Sequence, residues 1–326
     1  MAPRYGAMER LNRMSSNRTN RMNPGGLRGG GRALLVLGTA GLMLGAHYSR
    51  PARPCGPAGC AVTPGASIHA GAASAATRDG WSRARNFRRL TLAEWGGAAA
   101  LDSAQFLTVL KLNRVDEKFA RRRALLVPDS VAPELAYAPF PEAVFPLRAS
   151  PKFVLVSRRV QAFAAYEYGA LVRWGPISSG KTATPTDAGL FFTNWKSRTT
   201  ISTDDPSWIL DWYVNFIALK GVAFHQYELP GMPASHGCVR LLETDARWMY
   251  TWAEQWVPGR GSKVKRYGTP VLVFGDWEAG APAPWLGVVN GDARAAVSTW
   301  EVGAALAPHL ELVEARQESP ADLAIR

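Results

Sequence analysis

The segment from Lys152 to Val273 consists of short apolar runs separated by glycine, proline and aspartate turns. Runs of five to nine residues at this spacing predict β-strands, and a succession of such strands is typical of a sandwich or a barrel. We therefore predict a mainly β domain over residues 151–276. The predicted strands cover residues 153–157, 160–168, 170–178, 189–195, 213–219, 222–227 and 270–275.

One segment inside this domain has the spacing of a helix rather than of a strand. Residues 245–256 place an indole at every fourth position, which aligns the indoles on one helix face. Thr244 is the expected N-cap, and Pro258 follows the expected end. We interpret the indole stripe as packing against the sheet rather than as a ligand platform. The stripe consists of Trp248, Trp252 and Trp256.

Residues 81–150 combine helical and turn signals and predict a small α+β region that ends in a proline-containing linker. Residues 104–128 within it have the pattern of a helix, a basic turn and a short strand closed by Pro128. This order resembles a degenerate LysM unit, which is a glycan-binding module. A subdomain that only packs against the β domain accounts for the same pattern, so both interpretations stay open.

The first 80 residues have the layout of an exported protein. Residues 1–48 join an arginine-rich stretch to an uncharged apolar run at 33–46. As a helix this run reaches roughly 21 Å, short of the ~30 Å hydrocarbon core, which favours a signal peptide over an N-terminal membrane anchor. Residues 49–80 predict a Pro/Gly/Ala-rich linker, in which Cys55 and Cys60 are spaced for a local disulfide. We expect a periplasmic or cell-envelope location.

The formal net charge of +12 is confined to the N-terminal part of the chain. Residues 1–90 carry 14 basic and two acidic side chains, whereas residues 91–326 carry 24 of each. A nucleic-acid-binding domain needs a basic surface. The charge distribution therefore argues against a nucleic-acid partner.

The tail, residues 277–326, contains one amphipathic stretch at 297–313 and then becomes polar. Two interpretations stay open for it: the tail covers the β domain, or part of it is disordered.

The reactive side chains of the β domain lie close together in the sequence. His225 and His236, two of the five histidines in the chain, lie within 13 residues upstream of Cys238. A cysteine nucleophile acts as its thiolate, and a neighbouring imidazole can accept the thiol proton. Gly237 lets the backbone approach a bound carbonyl and offers N–H groups to an oxyanion. The segment therefore predicts a thiol nucleophile with its base and oxyanion donors.

These residues also have structural and metal-binding explanations. A single cysteine is often a buried apolar residue, and a single histidine is often a hydrogen-bonded structural residue. A zinc site formed by His225, His236 and Cys238 lacks an obvious fourth ligand and a CxxC pair. The chain also has no glycine-rich nucleotide loop, so we expect neither a metal nor another cofactor.

Residues 221–241 resemble the catalytic signature of the YkuD-type L,D-transpeptidase family, in which an upstream histidine precedes Ser/Thr-His-Gly-Cys. His225 is the upstream histidine, but it is followed by Gln226 where the family usually has glycine or serine. A looser likeness extends from Lys152 to Gly275. The matching motifs are Ser235-His236-Gly237-Cys238-Val239-Arg240-Leu241, Ser178-Ser179-Gly180-Lys181 and Thr184-Pro185-Thr186-Asp187-Ala188-Gly189-Leu190-Phe191.

The resemblance implies a YkuD-like fold with a helix after the cysteine, and a two-step acyl transfer on peptidoglycan stem peptides. Cys238 would attack the third-residue carbonyl of a donor tetrapeptide and release D-alanine, and an amine would then receive the acyl group. His225 is the implied base, with His236 as the alternative. The implied oxyanion or substrate contacts are Ser235, Gly237 and Arg240.

Two other functions stay open at this point. A peptidoglycan carboxypeptidase or amidase would use the same cysteine and histidine with water as the acceptor. A non-catalytic wall-binding protein would keep the fold with an unreactive Cys238. Aromatic side chains near the signature are candidate walls that would exclude water, namely Trp208, Trp212, Tyr213 and Tyr227.

Overall fold

A computed structural model describes residues 86–96, 103–260 and 264–316, all of which belong to the unit Ala66–Arg326. The apolar run 33–46, the linker 49–80 and the pair Cys55 and Cys60 lie outside the described residues. Within the part that is described, no helix is both long and apolar enough to cross a membrane.

Most of the β-structure belongs to one nine-stranded mixed sheet, which confirms the mainly β prediction. The strands of the described chain are β1 (Phe87–Leu90), β2 (Leu125–Pro128), β3 (Phe153–Ser157), β4 (Ala162–Glu167), β5 (Ala170–Ser178), β6 (Gly189–Phe192), β7 (Lys196–Ile201), β8 (Ile209–Ile217), β9 (Val222–Gln226), β10 (Val239–Leu241), β11 (Val257–Pro258), β12 (Val264–Arg266) and β13 (Pro270–Phe274). The spatial order in the sheet is β6, β13, β3, β4, β5, β10, β9, β8, β7. Two neighbouring pairs are parallel, β13 with β3 and β10 with β9, and the other pairs are antiparallel.

The sheet curls so that strands near its two ends face each other. The ring of Phe191 on β6, the first strand in spatial order, lies 5.9 Å from the ring of Phe216 on β8, the eighth. The enclosed side chains form an inner core. Both faces of the central strands are buried, which is why β3 is continuously apolar instead of alternating. The inner core includes Val154, Val156, Phe163, Val214, Phe224, Val239, Leu241 and Val271.

Helix α3 (Glu243–Trp252) follows β10 directly and closes the inner core with Ala246 and Met249. Of the other helices, α1 (Ser103–Asn113) and α2 (Glu117–Ala120) precede the nine-stranded sheet in the chain, and α4 (Thr299–Leu306) and α5 (Leu310–Arg316) follow it. The indoles of Trp248 and Trp252 stack 4.8 Å apart and pack against the inner core while partly exposed. These two members of the stripe therefore act in packing, as predicted.

The predicted bounds of this helix are wrong at both ends. The helix begins before Thr244, because the Leu242 carbonyl already accepts the N–H groups of Asp245 and Ala246 at 3.0 and 2.8 Å. It ends at Trp252, so Trp256 lies outside it. The Trp256 N–H instead donates to the Asn194 carbonyl at 3.2 Å.

The opposite face of β3 and β4 is covered by an outer core, to which segments on both sides of the β domain contribute. Residues 297–313 include α4 and bury apolar side chains there, so this part of the tail covers the β domain. The outer core contains Tyr137, Phe140, Val144 and Leu147 from before the sheet, Leu155, Tyr166 and Trp174 from the sheet, and Val297, Val302, Leu306 and Val313 from the tail.

The accessory region before the sheet has the order strand, helix, helix, strand. Strand β1 pairs antiparallel with β2, and α1 and α2 lie between them in the chain. Asn113 at the end of α1 holds β2, because its amide donates to the Leu126 carbonyl at 2.9 Å and accepts the Leu126 N–H at 2.7 Å. The small α+β prediction agrees with this arrangement, and the resemblance to LysM stays a prediction.

The accessory region is joined to the loop between β9 and β10. Asp116 donates its N–H to the Leu229 carbonyl at 3.2 Å, and its carboxylate accepts the Leu229 N–H at 2.9 Å. The same carboxylate caps α2 by accepting the Phe119 N–H at 3.0 Å. One acidic side chain thus holds the loop that leads from His225 to Cys238.

Candidate active site

The parallel pairing of β9 with β10 brings the motif residues onto one face of the sheet. In register, Val239 lies opposite Phe224, and Arg240 lies opposite His225. Phe224 and Val239 point into the inner core. Because side chains alternate along a strand, His225 and Arg240 share the other face, and Cys238 directly precedes β10. The structure thus brings His225 and Arg240 together, and the charge of Arg240 acts on both the His225 ring and the Cys238 thiol.

Cys238 is partly buried. Its Sγ lies 3.8 Å from the Gly221 carbonyl oxygen. Burial raises the pKa of the thiol to about 11; a hydrogen bond from the Ala223 N–H opposes this rise, the charge of Asp204 adds to it, and Arg240 opposes it. The resting thiol is therefore protonated at neutral pH.

His225 is 3% exposed and has a defined orientation. Its Nδ1 lies 2.9 Å from the Gln226 carbonyl oxygen. A carbonyl only accepts hydrogen bonds, so Nδ1 carries the proton and Nε2 has a free lone pair. Burial lowers the pKa of His225 to about 4, a shift opposed by the bond to Gln226 and increased by Arg240. His225 is therefore a neutral imidazole that can accept a proton at Nε2.

Two tyrosines enclose the His225 ring. Tyr213 stacks on it with a centroid distance of 6.4 Å, and Tyr227 meets it edge-on at 6.0 Å. The Tyr213 hydroxyl donates to the Gly221 carbonyl at 2.5 Å, the same carbonyl that the Cys238 thiol faces. Of the four candidate wall residues, Trp212 lies elsewhere, with its ring against Tyr250 of α3.

His236 has a different environment from His225. It is exposed, its ring lies 4.9 Å from that of Trp208, and its Nε2 lies 3.0 Å from Lys181 Nζ. A lysine ammonium only donates hydrogen bonds, so His236 Nε2 accepts from it. The structure thus gives the two histidines separate partners.

Ser235 and Gly237 shape the turn before Cys238. The buried Ser235 hydroxyl accepts the Gly237 N–H at 3.1 Å and donates to the Cys238 carbonyl at 2.5 Å. Gly237 has a φ of +107°, which side chains with a Cβ rarely adopt. The expectation that the Gly237 N–H faces an oxyanion is not met here, because this hydrogen is directed at Ser235 Oγ.

A second segment, residues 179–186, braces this turn. The buried Thr186 hydroxyl donates to the Gly237 carbonyl at 2.8 Å and accepts the Gly180 N–H at 2.9 Å. A Cβ on residue 180 would collide with the Thr184 carbonyl, which explains why this position is occupied by glycine. The sequence motifs marked this segment, but not the role of Thr186 in holding the cysteine turn.

Arg240 is partly buried and stacks over the Tyr227 ring at 4.6 Å. In the described chain no carboxylate lies within ion-pair distance of it. Burial lowers its pKa, while Tyr227, Glu228 and Cys238 oppose this shift. Arg240 therefore places positive charge beside the thiol and the His225 ring.

The same residues do not form a metal site. Among the side chains that the structure describes, no three His, Cys, Asp or Glu groups come close enough together to hold a metal ion. This applies to the three residues considered above as zinc ligands, His225, His236 and Cys238.

Three solved structures illustrate the similarity of this domain to known proteins. The L,D-transpeptidase from Mycobacterium smegmatis is 22% identical with a TM-score of 0.31, over 38% of this chain and 59% of that one. The L,D-transpeptidase from Stackebrandtia nassauensis is 24% identical with a TM-score of 0.32, over 39% and 57%. L,D-transpeptidase 3 from Mycobacterium tuberculosis, in complex with a faropenem-derived adduct, is 22% identical with a TM-score of 0.30, over 38% and 60%.

The chain thus spans less than two thirds of each of these structures. No curated protein matches the sequence. The family model for the L,D-transpeptidase catalytic domain, YkuD, matches residues 151–273. These residues contain the Cys238 turn and the whole nine-stranded sheet except Phe274, the last residue of β13. Residues 151–273 therefore belong to the YkuD-type L,D-transpeptidase family.

Proposed function

We propose that the protein is a cysteine-dependent peptidoglycan L,D-transpeptidase in which Cys238 is the nucleophile and His225 the base. The observation that carries the proposal is the orientation of His225. Its Nδ1 is directed at the Gln226 carbonyl at 2.9 Å, and it lies opposite Arg240, two residues after Cys238, in the pairing of β9 with β10. This tautomer leaves Nε2 free to accept the thiol proton. His236 is a poorer candidate, because its Nε2 accepts from Lys181.

The first step is acylation of the enzyme. The Cys238 proton moves to His225 Nε2 as sulfur attacks the third-residue carbonyl of the donor tetrapeptide. The C–N bond then breaks, and the His225 imidazolium protonates the departing nitrogen, releasing D-alanine. Because burial lowers the pKa of His225 to about 4, its imidazolium is a strong acid for this transfer. The charge of Arg240 favours the Cys238 thiolate during the attack. Because it also disfavours the His225 imidazolium, it favours the later transfer of that proton to the departing nitrogen.

The second step is deacylation by an amine. The neutral amine of a neighbouring stem attacks the thioester carbonyl and gives its proton to His225. The C–S bond then breaks, and the departing Cys238 thiolate takes this proton from the His225 imidazolium. The walls formed by Tyr213 and Tyr227 around His225 favour an amine over water by limiting solvent. The oxyanion donor we propose is the Cys238 N–H, with Ser235 and Gly237 holding its turn. Peptidoglycan as substrate implies a location in the cell envelope.

Intact-protein mass spectrometry with a carbapenem tests the nucleophile. We expect an adduct on the wild type and none on Cys238→Ala, with Cys55→Ser/Cys60→Ser as the control that keeps the adduct. Failure of the wild type to react would favour the non-catalytic wall-binding alternative.

Tetrapeptide-bearing muropeptides then test the acceptor. Dimers that depend on Cys238 are the expected product, together with free D-alanine. Shortened monomers alone would instead show a carboxypeptidase that uses the same cysteine and histidine.

A further inference from the structure

A cationic corner beside Cys238 lacks an acidic partner. We define it as Lys181 and His236, whose Nζ and Nε2 atoms are 3.0 Å apart. Lys181 forms no ion pair with the side chains that the structure describes. Lys181 is partly buried and His236 is exposed, so solutes can reach both. The Trp208 ring, 4.9 Å from the His236 ring, forms one wall of the corner.

The backbone holds this corner in a fixed relation to the cysteine turn. The Lys181 N–H donates to the Ser235 carbonyl at 3.0 Å, and the N–H groups of Ala234 and Ser235 both donate to the Ser179 carbonyl at 3.0 Å. The Thr184 hydroxyl also donates to the Ser235 carbonyl, at 3.2 Å. His236 precedes Cys238 by two residues, so these hydrogen bonds fix the backbone of Lys181 relative to the turn that carries the cysteine.

The other charges near the thiol leave this corner as the place for an anion. Asp204 acts on Cys238 and raises the pKa of its thiol, so it repels an anion from its own side. Asp187 is paired with Lys220 at 2.6 Å. The second cation, Arg240, already stacks on Tyr227 and is influenced by Glu228. The Lys181 ammonium is the less compensated of the two positive charges.

We propose that Lys181 and His236 bind the C-terminal carboxylate of the donor peptide, and this inference rests on the proposed function. In a donor tetrapeptide the leaving D-alanine carries that carboxylate one residue beyond the attacked carbonyl. One residue spans at most about 3.6 Å, so the carboxylate must lie close to Cys238 during attack. An ammonium donor beside an imidazole and an aromatic wall suits a carboxylate by charge and hydrogen bonding. The corner thereby selects peptides that end directly after the leaving residue.

The test compares two donors that differ in one charge. One is the tetrapeptide ending in D-alanine, and the other is the same peptide with a C-terminal amide. For the wild type we expect kcat/KM to be about 10 to 100 times higher for the carboxylate donor, the range of a charge-assisted hydrogen bond. In Lys181→Met this ratio should fall to near one, mainly through a higher KM for the carboxylate donor. Lys181→Arg should restore most of it.

His236→Asn should lower the ratio to an intermediate value, because the ammonium stays while its neighbour changes. Lys265→Met is the matched control. Lys265 is exposed on β12, so this substitution removes the same ammonium group outside the corner. Binding of both peptides to Cys238→Ala, measured by calorimetry, gives a readout that needs no chemistry. We expect about tenfold tighter binding of the carboxylate peptide, lost when Lys181→Met is added.

The outcomes separate this inference from the proposed function. Equal turnover of both donors by the wild type, or an unchanged ratio in Lys181→Met, overturns the carboxylate site while the transpeptidase proposal stands. Absence of turnover and of any thioester, together with Lys181-dependent binding preference in Cys238→Ala, overturns the proposed function and supports the carboxylate site. Absence of that binding preference overturns the site.

Discussion

Lys111 Nζ lies 2.8 Å from Asp245 Oδ1, and both side chains are fully buried. Lys111 belongs to α1 of the accessory region, and Asp245 to α3 behind the cysteine turn. Lys111 also donates to Glu134 at 2.6 Å and to the Trp174 carbonyl at 3.2 Å. This buried pair ties the accessory region to the helix that closes the inner core.

We expect Lys111→Met to lower the free energy of unfolding by about 1–3 kcal/mol, because the buried Asp245 carboxylate loses one partner and keeps Arg173 at 2.7 Å. Asp245 Oδ2 already lacks a hydrogen-bond partner among the described atoms. Urea denaturation measures the change. Arg88→Ala, which breaks the exposed pair with Asp129, is the control and should cost less than about 1 kcal/mol. Equal effects of the two substitutions would contradict the importance of the buried pair.

The reactivity of Cys238 should follow a raised thiol pKa. Alkylation by iodoacetamide should accelerate with pH and show no inflection below pH 9, since burial raises the pKa of the thiol to about 11. Cys55→Ser/Cys60→Ser protein isolates Cys238, and mass spectrometry follows the reaction. An inflection below pH 7 would mean that the resting enzyme already holds a thiolate–imidazolium pair.

The burial of His225 should make stability depend on pH. The pKa of His225 is lowered from 6.5 to about 4 in the folded state, so between these values the unfolded chain binds the additional proton. Stability is then lost as the pH falls from 6.5 towards 4, by about 3 kcal/mol in total. Urea denaturation of the wild type and of His225→Gln at pH 7 and pH 4.5 should show a steeper loss for the wild type. Parallel losses would argue that His225 is not buried as a neutral ring.

Gly237→Ala should destabilise the protein by about 1–3 kcal/mol, because alanine is strained at a φ of +107°. It should also slow alkylation of Cys238, since the turn that carries the thiol is displaced. Gly303→Ala is the matched control: Gly303 lies within α4, and a Cβ there meets nothing within 4 Å. This control should gain about 0.5–1 kcal/mol. Thermal unfolding and alkylation rates compare the two variants.

Several elements of the fold were predictable because their residues carry a strong local pattern. The continuous apolar run of β3 and the apolar stretch of β13 are readable in this way. Strand β10 is only three residues long and lies inside the reactive motif, so periodicity does not reveal it. Strand β7 is a polar edge strand, and β1 has the sequence FRRL, so neither has an apolar alternation. Strands β1 and β10 form through pairing with the more distant β2 and β5, whereas β7 forms a hairpin with the next strand, β8.

The candidate site was predictable in its residues but not in their roles. Chemistry and spacing single out Cys238, His225 and His236. The role of His236 differs from that of His225 because His236 contacts Lys181, which lies 55 residues away in the sequence. No local sequence pattern predicts such a contact. The role of Thr186 is likewise a contact across 51 residues.

The outer core has a consequence for where this protein can be divided. Many of its side chains come from before residue 151 or from after residue 273, whereas the family domain lies between those positions. A fragment limited to the family domain would leave the ring faces of Tyr166 and Trp174 without their covering segments. Chimeras with other members of the family should therefore exchange the stretch around Tyr137 and the tail helices together with the domain.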